Sequence, residues 1–220
     1  MRVKLISYSK PSAEMYGEGL MDIQDLVAFC ARVSNPSNQM NNETSEKLIK
    51  YLIKHKHFSP LEMVSACIEI ETTRDIARQI LRHRSFSFQE FSQRYADPTT
   101  DLAFVTRDAR LQDPKNRQNS ILNEDRELCA EWDRRQKELI DLVKENYDWA
   151  ISNGIAKEQA RAILPEGNTV SRMYMNGTIR SWLHYIELRC ANGTQLEHQE
   201  VAIACAEAIT KIFPMNITII

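Results

Sequence analysis

The chain has 220 residues, of which 43% are hydrophobic and 26% charged; this is ordinary globular usage and excludes disordered, collagen-like and disulfide-scaffold proteins. Its 28 Lys and Arg stand against 30 Asp and Glu, a formal net charge of −2, so a protein basic over its whole surface, of the kind that coats nucleic acid, is excluded as well. No apolar run approaches the about 20 residues of a membrane span, and the first residues lack the apolar stretch of a signal peptide, so a cytoplasmic location away from membranes is expected.

Residues 2–8 read as a strand. Ile23, Leu26, Val27 and Cys30 share one face of a helix expected over 21–33, closed by Asn35-Pro36-Ser37-Asn38. A second helix is expected over 44–56, capped by Thr44 or Ser45, with Leu48, Ile49, Leu52 and Ile53 at helical spacing. After the break His57-Phe58-Ser59-Pro60, residues 62–72 alternate, with Val64, Ala66, Ile68 and Ile70 on one side, the pattern of a half-buried strand. Residues 73–84 return to helical period, Ile76, Ala77, Ile80 and Leu81 facing inward and Arg74, Arg78 and Arg82 outward. Residues 85–98 read as a polar connector and 101–120 as a loop. A long helix is expected over 123–153, its inner side carrying Leu128, Trp132, Leu139, Leu142 and Trp149, stopped by Gly154. A short helix over 156–164, a strand over 169–175, a helix over 178–190 and an alanine-rich helix over 195–213 complete one α+β domain, residues 1–220, with a helical subdomain.

The informative stretch is Gln79-Ile80-Leu81-Arg82-His83-Arg84, followed by Ser85-Phe86-Ser87-Phe88-Gln89-Glu90-Phe91-Ser92-Gln93-Arg94. Guanidinium forks grip phosphate oxygens bidentately, and Ser87, Ser92 and backbone N–H groups complete such a shell, so a phosphorylated small molecule is a sensible ligand. Solvated or Glu-paired arginines are the ordinary alternative. A second alternative is a single-strand nucleic-acid groove in which Phe86, Phe88 and Phe91 stack on bases.

Neither alternative accounts for the ordered spacing. Arg82-His83-Arg84, seven residues, then Ser92 resembles the signature of the flavin-dependent thymidylate synthases, and the similarity runs from the first strand to the last helix. The resemblance implies a mainly antiparallel sheet flanked by helices, and a homotetramer with active sites between subunits. It implies reductive methylation of dUMP to dTMP, with FAD as cofactor and NADPH and methylenetetrahydrofolate as co-substrates. By the same resemblance Gln79, Ile80, Leu81, Arg82, Glu90, Phe91, Ser92, Gln93, Arg94, Arg161 and Arg189 hold dUMP. Ser59, Arg82, His83, Arg84, Glu90, Thr178, Ile179, Arg180 and His184 contact FAD. Met63 stands where the family often has His, and Thr178 where some members have Asn. The absence of a Gly-x-Gly-x-x-Gly turn argues against a Rossmann crevice.

Read on its own, the helix over 178–190 buries Ile179, Trp182, Leu183, Ile186 and Cys190, with Arg180 and His184 on its polar face and Arg189 at the stripe's edge, where an arginine needs an anion, a carbonyl or a desolvated partner. Alone, His184 reads as a surface histidine. The five cysteines, Cys30, Cys67, Cys129, Cys190 and Cys205, are odd in number and at least 15 residues apart. That spacing fits a reducing compartment rather than disulfides or a Cys-x-x-Cys metal site, and none has an obvious activator. No metal motif occurs, so no catalytic metal is expected. The family role of Arg189 is then electrostatic: a guanidinium keeps its proton, and it stabilises negative charge over uracil N3 and O2 so that C5 becomes the nucleophile. Ala202, Ala204, Ala206 and Ala208 would allow close helix approach, either inside a monomer or between subunits. A nucleotide-binding regulator without catalysis is the remaining rival.

Overall fold

The computed structural model describes residues 1–213. Its elements in chain order are β1 (Arg2–Tyr8), α1 (Ala13–Gly17), α2 (Ile23–Ala31), α3 (Ser45–Lys54), β2 (Ser65–Thr73), α4 (Arg74–Ile80), β3 (Phe86–Glu90), α5 (Pro98–Asp101), β4 (Leu111–Gln112), β5 (Ser120–Ile121), α6 (Arg126–Ser152), α7 (Lys157–Ala160), β6 (Val170–Thr178), α8 (Ile179–Arg189) and α9 (Leu196–Thr210). The main sheet has the order β1-β2-β6-β3 with every neighbouring pair antiparallel, and β4 and β5 form a separate hairpin. The α+β class with an antiparallel sheet flanked by helices is thus the observed one.

Alternation in β2 puts Ala66, Ile68 and Ile70 wholly inside, while Met173 and Met175 do the same from β6. Helices α2, α3, α4, α8 and α9 supply the rest of this core, with Trp182, Tyr185, Val201, Cys205 and Ile209 buried. The opposite sheet face carries Glu69, Glu71, Arg172 and Tyr174 and stays partly open. Helix starts follow local chemistry: the Asp22 carboxylate accepts from the N–H groups of Gln24 and Asp25 at 2.8 and 3.0 Å, and Asp125 caps α6 in the same way. A second apolar cluster of Val143, Tyr147, Ala150, Ala160 and Leu164 joins α6 to α7.

Three sequence expectations need correction. The connector over 85–98 contains β3, whose Phe-Ser-Phe-Gln-Glu alternation is short but real. The helix over 73–84 ends at Ile80, so Arg82 lies in the turn beyond it, and Arg74 is buried rather than outward. Leu128, Trp132, Leu139, Leu142 and Trp149 do not face inward: each is at least 43% exposed, and Gln136, Ile140, Val143, Tyr147 and Ala150 are buried instead. The amide of Gln136 makes that burial possible, accepting from the Arg107 N–H at 2.8 Å and donating to the Arg107 carbonyl at 2.9 Å. Of the two alternatives left open for the alanines of the last helix, Ala202, Ala206 and Ala208 follow the first and pack within the chain's own core.

β3 is held against β6 by a glycine. Phe86 pairs with Gly177, and a Cβ at Gly177 would lie 2.4 Å from Phe86 Cδ1. The ring cannot retreat, because Trp182 and Tyr185 pack edge-on at centroid distances of 4.8 and 6.0 Å. Gly177→Ala is therefore expected to destabilise the fold by about 2 to 3 kcal/mol through overpacking, seen as a lower urea midpoint; an unchanged midpoint would mean the aromatic cluster yields freely.

Candidate active site

The turn between α4 and β3 is tightened by Arg82 N–H to Gln79 O and His83 N–H to Ile80 O bonds at 3.3 and 3.0 Å. It leaves Arg82 and Arg84 exposed and folds His83 inward. The His83 ring meets Tyr185 edge-on at 4.9 Å, with His198 at 6.4 Å. From the last turn of α8, the Arg189 Nε–H donates to His83 Nε2 at 2.9 Å. Only a neutral imidazole protonated on Nδ1 can accept that bond. Burial, then the charges of Arg189 and His184, push His83 down to about 4, so the acceptor form prevails at neutral pH. The Arg189 Nη groups make no hydrogen bond among the described residues.

On the same helix as the turn's start, Gln79 is bonded to Gln195 and His198 of the α9 region. Ile80 and Ile179 are wholly buried, so neither side chain is open to a ligand, while Leu81 is half-buried. The Glu90 carboxylate accepts from Ser171 at 2.8 Å, Arg78 at 3.2 Å and Arg74 at 3.5 Å. Arg94 pairs with Glu158 at 3.5 Å across the start of α7, and its own N–H is held by Ser92 Oγ. Arg161 opens the turn that follows α7 and is exposed. Gln93 is buried with its amide nitrogen unpartnered among the described residues, and Phe91 is half-buried. No hydrogen bond or ion pair among the described residues joins Arg189, His83 or Gln79 to Arg94 or Arg161.

The third group lies along α8. Thr178 caps the helix, its hydroxyl accepting from the Ser181 N–H at 3.2 Å. Arg180 is ion-paired with Glu62, and together with Phe58, Ser85 and the exposed His184 it lines a cavity of about 360 Å³. Ser59 and Met63 are exposed on the neighbouring turn. Arg82 and Arg84, exposed in the turn, form no ion pair among the described residues, and unpaired guanidinium forks suit phosphate oxygens. Phe86 is core, not a base-stacking surface.

The sequence reading missed His198, Gln195, Glu197 and Tyr185. A histidine inside the buried alanine stripe of α9 was the one available signal for His198.

The fold is an α+β domain with an antiparallel, non-Rossmann sheet, in which one arginine, Arg189, is anchored on a neutral histidine, His83. The family described as "Thymidylate synthase complementing protein" matches residues 19–215. The "Probable flavin-dependent thymidylate synthase" of Paramecium bursaria Chlorella virus 1 is 49% identical over 97% of this chain and 96% of its own. The flavin-dependent thymidylate synthase of Synechocystis sp. is 46% identical over the same shares. The crystal structure of PolB from Streptomyces cacaoi, described as a UMP/dUMP methylase bound with 5-Br dUMP, superposes with a TM-score of 0.79 at 25% identity, over 97% of this chain and 91% of that one. The chain belongs to the flavin-dependent thymidylate synthase family.

Proposed function

We propose that the chain methylates dUMP to dTMP, with methylenetetrahydrofolate as one-carbon donor and NADPH as electron source. The observation that carries this reading is Arg189, anchored through Nε on neutral His83 with its Nη groups left for a ligand. Set against the uracil ring, that fork stabilises charge spreading over N3 and O2 and makes C5 nucleophilic. Bound FAD supplies the reducing equivalents. Arg82, Arg84, Arg180 and His184 are the side chains that would hold it. No cysteine nucleophile is invoked: burial raises the thiols of Cys30, Cys67, Cys190 and Cys205, disfavouring the thiolate. Anaerobic incubation of FAD-loaded protein with dUMP, methylenetetrahydrofolate and NADPH should yield dTMP. UMP serves as comparator, since the description of PolB names both nucleotides. No dTMP under any electron donor, with dUMP still bound, would favour a regulator.

Among the described residues no hydrogen bond or ion pair ties Arg189 and Gln79 to Arg94 and Arg161, and we propose that a second subunit of a homotetramer completes the site. The exposed residues Leu128, Trp132, Leu139, Leu142 and Trp149 recur along α6 at intervals of four, seven, three and seven, a seam suited to another helix. Leu142→Glu with Trp149→Glu is expected to reduce the particle mass in light scattering and to abolish turnover; an intact tetramer would remove α6 from the interface.

Among the described residues no helix is long and apolar enough to cross a membrane, and no group of His, Cys, Asp and Glu is placed to hold a metal.

A further inference from the structure

We infer that His198, Gln195 and Glu197 are positioning residues that fix the amide of Gln79 so that it offers the nucleotide a donor N–H and never its oxygen. The inference rests on the reading that Gln79 contacts dUMP.

The direction of each hydrogen bond follows from one group that cannot donate. Glu197 is gripped by Arg107 at 2.9 Å and by Arg110. Burial alone would raise its carboxyl, but its own backbone N–H, Gln195 and the two arginines hold it below the ordinary range. As an anion it only accepts. Gln195 must therefore turn its Nε2 toward Glu197, as it does at 2.9 Å. That leaves Gln195 Oε1 for Gln79, whose Nε2 donates to it at 2.8 Å. Gln79 Oε1 then faces His198 Nδ1 at 3.2 Å. Two acceptors cannot share that contact, so His198 carries its proton on Nδ1 and a lone pair on Nε2. The ring is wholly buried and is held neutral, pushed down to about 3 by burial and by the charges of Arg189 and His83. Nε2 has no partner among the described residues.

Gln79 Oε1 is thus turned inward onto His198, and one Nε2 hydrogen remains. Gln79 is half-buried, so that hydrogen is reachable. It matches a carbonyl, phosphate or sugar oxygen of the substrate and repels an amino group. Helix propensity and periodicity cannot encode such a preference; it propagates from the Glu197 carboxylate through Gln195 and Gln79 to His198.

The test uses FAD-loaded full-length protein, with dUMP dissociation constants from calorimetry and KM and kcat from dTMP formation. His198→Leu removes the Nδ1 donor and lets the Gln79 amide turn; dUMP binding and KM should weaken about tenfold, the worth of roughly one hydrogen bond, with kcat changed much less. His198→Asn places an amide N–H where Nδ1 stands and should restore affinity. Gln195→Leu should weaken binding as His198→Leu does. Wild-type affinity in folded His198→Leu, or equal impairment in the Leu and Asn variants, overturns the inference. Gln79→Leu separates the two levels: unchanged dUMP affinity in that variant would refute the contact itself, while weakened binding there with normal binding in His198→Leu would refute only the positioning.

Discussion

Arg189→Ala lowers dTMP formation by on the order of 10³-fold, the usual consequence of removing a preorganised group aimed at developing charge, and leaves the flavin bound. Arg189 lies at the end of α8, whereas the residues proposed for FAD come from the 82–84 turn and the start of that helix, so flavin absorbance should survive while single-turnover dTMP yield collapses. Arg189→Lys recovers little, since an ammonium supplies charge without the planar fork and cannot donate through Nε to His83 while presenting two further donors. The same substitution has a second readout that no general loss of folding would reproduce. The Arg189 charge is one of the causes that depress His83, so in Arg189→Ala the His83 titration, followed by NMR, moves upward. Cys190→Ala, by contrast, leaves turnover close to wild type, because Cys190 is buried and its thiol is raised by burial. Retained methylation in Arg189→Ala, or loss confined to Cys190→Ala, would replace the electrostatic mechanism with nucleophilic catalysis.

The parts legible in the sequence were those in which one periodicity has one meaning. β2 alternates because one face is core, and Ala66, Ile68 and Ile70, which the pattern named, are buried there, joined by Thr72 and Thr73 at the strand's end. Arg189 was marked as needing a partner because it borders a buried stripe, and the structure supplies His83, 106 residues away. The partner itself was out of reach, since nothing local links the two positions. Helix α6 misled because it has two faces with claims to burial. Its larger apolar residues form the exposed seam, and the inner face is built from Ile140, Val143, Ala150 and two polar-tipped side chains, Gln136 and Tyr147, which periodicity discounts. Arg74 failed for a similar reason: helical position alone assigned it to solvent, but Glu90 arrives from β3 to neutralise it. The links from Gln79 to Gln195 and His198 span 116 and 119 residues and exist only once α9 packs against α4.

Acid should unfold this protein earlier than its carboxylates alone would predict. His83 and His198 are both held neutral in the fold, pushed down to about 4 and about 3 chiefly by burial, whereas in the unfolded chain each takes up a proton near pH 6.5. Above that pH neither histidine favours the unfolded chain. Below it the unfolded state binds protons that the folded state refuses, and stability falls as pH drops from about 6.5 toward 4. Each pH unit of that window is worth at most about 1.4 kcal/mol per group. His83 is only partly buried and its share is reduced by solvent screening, so the pair together takes on the order of 5 kcal/mol, comparable with the whole stability of a marginal domain. Glu197, held below its ordinary value, contributes stability above about pH 4.5 that is lost only at still lower pH, so the histidine window lies apart from it. Protonation of His83 also removes the acceptor on which Arg189 is anchored, and turnover should decline over the acid limb with stability. Urea midpoints between pH 7.5 and 4.5 measure the effect, and the double variant His83→Asn with His198→Asn, which cannot titrate, should have the flatter profile. If wild type and the double variant lose stability in parallel over that range, the two rings are not the neutral buried groups that the Arg189 anchor requires.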